Sequence, residues 1–128
     1  MRINILTIFP DFFASPLATS MLKRAVAAQV VDYQVVNIRD FAAGKHQLTD
    51  DRPFGGGPGM VMKVEPIDLA LQSLGVVKGQ TGSLIVLTSA KGALFTQQTA
   101  VDWSQLNTLT IICGHYEGVD ERVTQHLI

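Results

Sequence analysis

With 128 residues, 47% hydrophobic and 16% charged, the chain lies outside the low-hydrophobicity, high-charge range of disordered sequences and is long enough for one domain with its own core. Ten Lys and Arg against eleven Asp and Glu leave a net charge of −1, so no polybasic field announces a nucleic-acid or anionic-membrane partner. The longest apolar runs, Ala25 to Ala28 and Leu84 to Leu87, are four residues each, against the ~20 needed to cross a bilayer.

Ile3 to Phe9 is apolar apart from Asn4 and Thr7 and predicts a central parallel strand covered on both faces. Pro10-Asp11 ends it. Leu17, Met21, Leu22, Ala25 and Val26 then recur at helical spacing, with Ser15 before Pro16 as cap and first turn. Val30 to Ile38 is β-rich. Glu65-Pro66 opens a second helix through Ile67, Ala70, Leu71 and Leu74, closed by Gly75. Leu84 to Thr88 and Thr108 to Cys113 predict two more strands, with a helix from Thr96 to Asp102 between them. This alternation implies right-handed crossovers and an α/β fold, an open and mostly parallel sheet with helices on both faces.

Two stretches stand apart from the alternation. Arg39 to Pro58 has no periodicity and reads as a long loop, a feature more often functional than idle in a compact domain. Val119 to Ile128 reads as a helix with no Gly, Pro or basic stop signal at its end, the pattern expected of a chain cut short. The single cysteine, Cys113, excludes an internal disulfide. The amino-terminal residues lack the apolar centre and small-residue cleavage site of a secretion signal, so the expected location is cytoplasmic.

Three segments offer chemistry. Arg52 to Met60 places Gly55, Gly56, Gly57 and Gly59 between and just beyond Pro53 and Pro58, which shapes a turn able to present backbone N–H groups or to admit another backbone closely. Its G-x-G-x-G spacing is that of dinucleotide sites, but no buried strand precedes it and no helix opens on it, so that reading is discounted. Cys113 to Arg122 begins where an apolar strand ends, the position at which open α/β sheets bind ligands. Gly114 and Gly118 let that turn lie against a flat ligand, Tyr116 offers a stacking face and Glu117 an acceptor. Asp120, Glu121 and Arg122 read more simply as the charged first turn of a helix, with Arg122 paired to an acid one turn away. Thr88 to Phe95 follows the neighbouring predicted strand and would share one crevice with the first turn. Cys113 beside His115 does not make a nucleophile and base, because residues two apart need not touch and a cysteine ending an apolar strand belongs to the core. His46, His115 and His126 with the lone cysteine have no metal-ligand spacing, and no metal site is expected.

Two long strings and a short one together carry a resemblance. Asp50-Asp51-Arg52-Pro53-Phe54-Gly55-Gly56-Gly57-Pro58-Gly59-Met60, Cys113-Gly114-His115-Tyr116-Glu117-Gly118-Val119-Asp120-Glu121-Arg122-Val123 and Phe9-Pro10 resemble the motifs of the bacterial tRNA (guanine-N1)-methyltransferases of the TrmD type, in the trefoil-knotted SPOUT superfamily. The resemblance covers the whole chain. It implies methyl transfer from S-adenosyl-L-methionine to N1 of the guanosine immediately 3′ of a tRNA anticodon, on a homodimer. It also implies that Leu87, Thr88, Ser89, Gly92, Gly114, Tyr116 and Gly118 line the cofactor, largely through backbone groups. Glu117 would face the target nucleotide as the catalytic carboxylate, and Arg52 and Gly57 would serve the RNA side. The chain departs from the pattern where many relatives read L-S-P-x-G, since Thr88-Ser89-Ala90-Lys91-Gly92 has Thr for Leu and Ala for Pro. The family continues past this sequence with a second glycine-rich loop and a helical tRNA-binding domain. Residues 1 to 128 are therefore expected to form a truncated cofactor-binding domain with an incomplete knot, holding half of the cofactor site and inactive alone. The alternatives are another SPOUT-type RNA methyltransferase, or a non-catalytic α/β binding or dimerisation module.

Overall fold

A computed structural model describing residues 1–128 resolves the alternation into six strands and four α-helices. The elements are β1 (Arg2–Thr7), α1 (Ala14–Leu17), α2 (Ser20–Ala27), β2 (Asp32–Asn37), β3 (Asp50–Asp51), β4 (Val61–Met62), α3 (Val64–Ser73), β5 (Ser83–Leu87), α4 (Gln97–Trp103) and β6 (Thr108–Ile112). Strands β2, β1, β6 and β5 lie side by side in that order, every pair parallel. The apolar run read as a central strand is β1, bonded on both edges. Right-handed crossovers put α2 and α4 on one face of the sheet and α3 on the other, so helices cover both faces as expected. No helix is long and apolar enough to cross a membrane.

The main core lies under α3. Leu6, Ile85 and Ile112, which share one face by register, pack with Ile67, Ala70 and Leu71 of α3 in an eleven-residue buried cluster. Asn4 and Thr110 lie on that same face, and the Asn4 amide donates to the Thr110 hydroxyl at 3.0 Å, giving two buried polar groups one bond between them. Helix α3 ends as its sequence predicts. Gly75 takes a left-handed φ of +64°, its N–H donates to the Gln72 carbonyl, and the Val76 N–H reaches back to the Leu71 carbonyl while both apolar side chains join the cluster.

Three expectations need correction. The helix after Pro10 is broken: a 3-10 turn at Pro10–Phe13 leads into α1, and α2 starts only at Ser20. Ser15 is inside α1 rather than capping it, and its carbonyl accepts the Thr19 hydroxyl at 2.7 Å across the break. The loop from Arg39 to Pro58 contains a 3-10 turn at Ile38–Phe41 and strand β3, which pairs antiparallel with β4. The glycine-rich segment is thus the tip of a hairpin standing beside the sheet. Finally, Val119 does not start a helix, because it bridges Met62 instead. The helical turn begins at Glu121 and widens to π geometry at Val123–Leu127.

Candidate functional site

Because β5 and β6 are adjacent, parallel and in register at Leu87 and Ile112, the loops that follow them leave the sheet at one point. Thr88 stitches the two together. Its N–H and hydroxyl donate to the Ile112 carbonyl at 3.0 and 3.3 Å, and its hydroxyl accepts the Gly114 N–H at 3.3 Å. The departure from Leu to Thr at this position therefore supplies hydrogen bonds a Leu side chain lacks. Gly114 suits this closeness: a Cβ there would sit a tight 3.2 Å from the Thr88 carbonyl oxygen and 3.5 Å from a Val119 methyl.

The turn from Gly114 to Gly118 is held from two more directions. Phe9, just past β1, meets the edge of the His115 ring at a centroid distance of 4.9 Å, and His115 in turn meets Tyr116 at 4.8 Å. Tyr116 sits at φ +58°, a left-handed conformation that a non-glycine residue keeps only where its surroundings impose it. On the opposite side the β3–β4 hairpin runs alongside. The Glu117 N–H donates to the Met60 carbonyl at 3.1 Å, the Met62 N–H to the Gly118 carbonyl at 2.9 Å, and the Asp120 N–H to the Met62 carbonyl at 3.0 Å. Gly59, at φ +84°, lies so near that a Cβ would run into the Glu117 side chain. All three sequence strings, far apart along the chain, meet at one turn.

Leu87, Thr88, Ser89, Gly114, Tyr116, Glu117 and Gly118 line a single cavity of about 470 Å3. Gly92 is not on its wall. Its N–H donates to the Ser89 carbonyl at 3.1 Å, and the Ser89 hydroxyl accepts the Lys91 N–H at 3.2 Å, so Gly92 closes the loop that forms the wall. Arg52 lines a separate groove of about 390 Å3 on the other side of the hairpin. Gly57 lines neither and approaches only Pro53, with 3.9 Å from its Cβ position to the proline ring. Sequence reasoning missed Lys91, Glu121 and Thr124, which also reach the cavity wall. Lys91 was legible within the strand-end loop itself, whereas Glu121 and Thr124 are brought in by the helical turn after Val119.

Two neighbours have settled structural roles. Asp120 accepts from Arg122 three times, from the backbone at 2.9 Å and from the guanidinium at 3.0 and 2.8 Å. The partner of Arg122 is thus two residues away rather than one turn away. The guanidinium hydrogen bonds hold the Asp120 carboxyl below the usual range. Cys113 is half-buried, and its burial pushes the thiol up, away from the thiolate a nucleophile needs.

The family described as tRNA (Guanine-1)-methyltransferase TrmD matches residues 1–128. The chain is 49% identical over 123 residues to a tRNA (guanine-N(1)-)-methyltransferase of Desulfitobacterium hafniense, covering 96% of this chain and 46% of that protein. It is 44% identical over 129 residues to the protein of that name from Thermosynechococcus vestitus, covering 100% of this chain and 53% of the relative. Among solved structures it is similar to the crystal structure of tRNA (m1G37) methyltransferase from Aquifex aeolicus, with a TM-score of 0.82 and 32% identity over 98% of this chain and 56% of that one. The chain spans about half the length of the curated relatives it matches.

Proposed function

The chain belongs to the tRNA (guanine-1)-methyltransferase family, and from that premise we propose that it carries the donor wall and catalytic carboxylate of an enzyme that methylates N1 of the guanosine immediately 3′ of a tRNA anticodon, using S-adenosyl-L-methionine. One observation carries the reading: segments near residues 9, 59, 88 and 116 converge on one turn at the carboxyl ends of β5 and β6. The same reading makes the enzyme a cytoplasmic homodimer.

The cavity suits the donor. Its volume falls in the range of about 300–1,000 Å3 for small-molecule sites. Its rear wall is backbone, where a Cβ on Gly114 would sit 3.2 Å from the Thr88 carbonyl oxygen, a contact tight enough that the neighbour would have to shift. Leu87 and Tyr116 would hold the flat nucleoside end, and the Thr88–Ser89 and Gly114–Gly118 backbones its polar groups. When bound, the donor supplies a sulfonium-activated methyl group. Guanine N1 carries a proton that must leave as the methyl arrives, so a carboxylate held at a fixed place is what the chain has to provide. Glu117 is that group. Its backbone is tied to Met60 and its side chain lies against Gly59, so the hairpin aims an otherwise exposed carboxylate.

The test replaces the matched segment of the Desulfitobacterium hafniense relative with this chain. The chimera is expected to methylate a tRNA transcript with guanosine 3′ of the anticodon and to leave one with adenosine there unchanged. Glu117→Gln should lower kcat by about 10²- to 10⁴-fold, the usual worth of a positioned acid or base. Gly114→Val should abolish S-adenosyl-L-methionine binding in a calorimetric titration by filling the closest approach. An inactive parent chimera, or full donor affinity in Gly114→Val, overturns the reading.

A further inference from the structure

Phe9 and Pro10 do not line the donor cavity. Phe9 stands just past the carboxyl end of β1, where its N–H donates to the buried Thr7 hydroxyl at 3.1 Å. Its ring is 49% exposed and is no member of the main buried cluster, so core packing does not account for it. It lines a smaller cavity of about 260 Å3 with Thr7, Phe12, Phe13 and Cys113, and the residues which that cavity shares with the donor cavity are Gly114 and His115.

This shared wall is braced by a row of rings. Phe9 meets the His115 imidazole with 84° between planes and 4.9 Å between centroids, and His115 meets Tyr116 at 66° and 4.8 Å. Both pairs have the edge-to-face arrangement in which aromatic rings attract. The last ring of the row belongs to the strained residue, since Tyr116 holds φ +58°. An ordinary residue is about 5- to 30-fold less populated in that region when nothing imposes it. Hydrogen bonds pin the turn at Gly114, Glu117 and Gly118. Between those points, at His115 and Tyr116, the rings do the holding.

We infer that Phe9 is a positioning residue for the methyl donor: acting through His115, it holds Tyr116 in the left-handed conformation and so keeps the Gly114–Gly118 turn in its donor-accepting shape. The inference rests on the reading of the larger cavity as the donor site. It ties the end of β1 to a cavity whose walls come from the ends of β5 and β6, and it gives Phe9 a reason to sit half in solvent. A brace of this kind sets the fraction of the protein competent to bind. Its loss weakens apparent affinity by that fraction and is made good once the donor saturates.

The first arm of the test needs no donor. In the full 128-residue chain, hydrogen exchange read by NMR should show the Glu117 amide of Phe9→Ala exchanging about tenfold faster than in the parent, measured relative to the Ile112 amide, the worth of one ring pair. Phe9→Tyr, which keeps the ring, should exchange as the parent does. The second arm uses the chimera. Phe9→Ala should raise the KM for S-adenosyl-L-methionine about tenfold with kcat unchanged, and should add nothing once His115→Ala is present. Phe12→Ala removes a ring of the same small cavity that pairs with Phe13 instead, and should alter neither constant. Equal exchange in the parent and Phe9→Ala overturns the proposal, as does a loss that falls on kcat or one that Phe12→Ala reproduces. An inactive parent chimera counts against the methyltransferase reading, whereas the exchange arm judges the brace by itself.

Discussion

On the side of the sheet covered by α3, Leu6, Ile85 and Ile112 belong to an eleven-residue buried cluster, whereas on the side of α2 and α4 the buried apolar residues are Ile5 and Leu109. Neither α2 nor α4 buries a single residue, and Met21 on α2 is 67% exposed. Both sides have amphipathic helices, so the contrast does not come from pattern. It comes from what the connections reach: the chain between β2 and β5 carries α3, the hairpin and the 3-10 turn at Ile38–Phe41, and all three contribute to one cluster through Ile38, Met62 and Ile67. The hairpin is thus anchored in the core by Met62 while its tip stays free. The lesson is that this fold puts its rigidity on the side where the candidate site needs a fixed wall.

The sharpest way to break this contrast is to remove one side chain from each face. Ile112, fully buried in the cluster, should cost about 2–5 kcal/mol when truncated to Ala. Met21→Ala on α2 should stay within about 0.5 kcal/mol. Urea unfolding of the two variants measures both, and equal losses would show that the α2 side has a core of its own. A smaller effect separates the two ends of the glycine-rich tip. Gly55 and Gly59 have nearly the same left-handed φ, +87° and +84°, but a Cβ at Gly55 meets open space while one at Gly59 meets Glu117. Gly55→Ala should cost about 1–2 kcal/mol from backbone strain alone. Gly59→Ala should cost more and also move Glu117, so that methyl transfer by the chimera falls further than stability does. Matching behaviour of the two variants would mean that the hairpin does not aim the carboxylate.

The sequence displayed the sheet and α3 because their apolar residues recur with a period and are buried by their own neighbours, as in Leu84-Ile85-Val86-Leu87 or Ile67, Ala70 and Leu71. It displayed the cavity wall because strand ends in a parallel sheet define where a ligand sits, and Leu87 to Ser89 and Gly114 to Gly118 are such ends. The hairpin was hidden, since two-residue strands such as Asp50–Asp51 and Val61–Met62 have no period and exist only through their pairing. The contact of Gly59 with Glu117 was hidden for the same reason: nothing local to either residue announces the other. The break at Thr19 and the wide turn at Val123–Leu127 also depend on tertiary surroundings, through the Ser15 carbonyl and the buried Val123.

The smallest expected effect lies where the hairpin meets the turn, at Asp120 and Arg122. The Arg122 side chain is 51% exposed and that of Asp120 12%, so water screens part of the attraction and the pair adds little to stability. Its sign is still defined. Hydrogen bonds from the guanidinium, then the backbone N–H of Arg122 and last its charge, lower the Asp120 pKa in the folded chain below the ordinary value of 3.8, against a smaller opposing effect of burial. A depressed carboxyl stabilises the fold above its unfolded pKa and loses that contribution as the pH falls through the folded value. Asp120→Asn keeps an oxygen for the Arg122 N–H but removes the charge. The gap in denaturation midpoint between parent and variant should therefore be constant near neutrality and close below about pH 4. A gap that stays the same down to strongly acid pH would show that Asp120 holds the turn through its backbone-facing oxygen alone, and that the guanidinium above Phe54 is placed by packing rather than by its carboxylate partner.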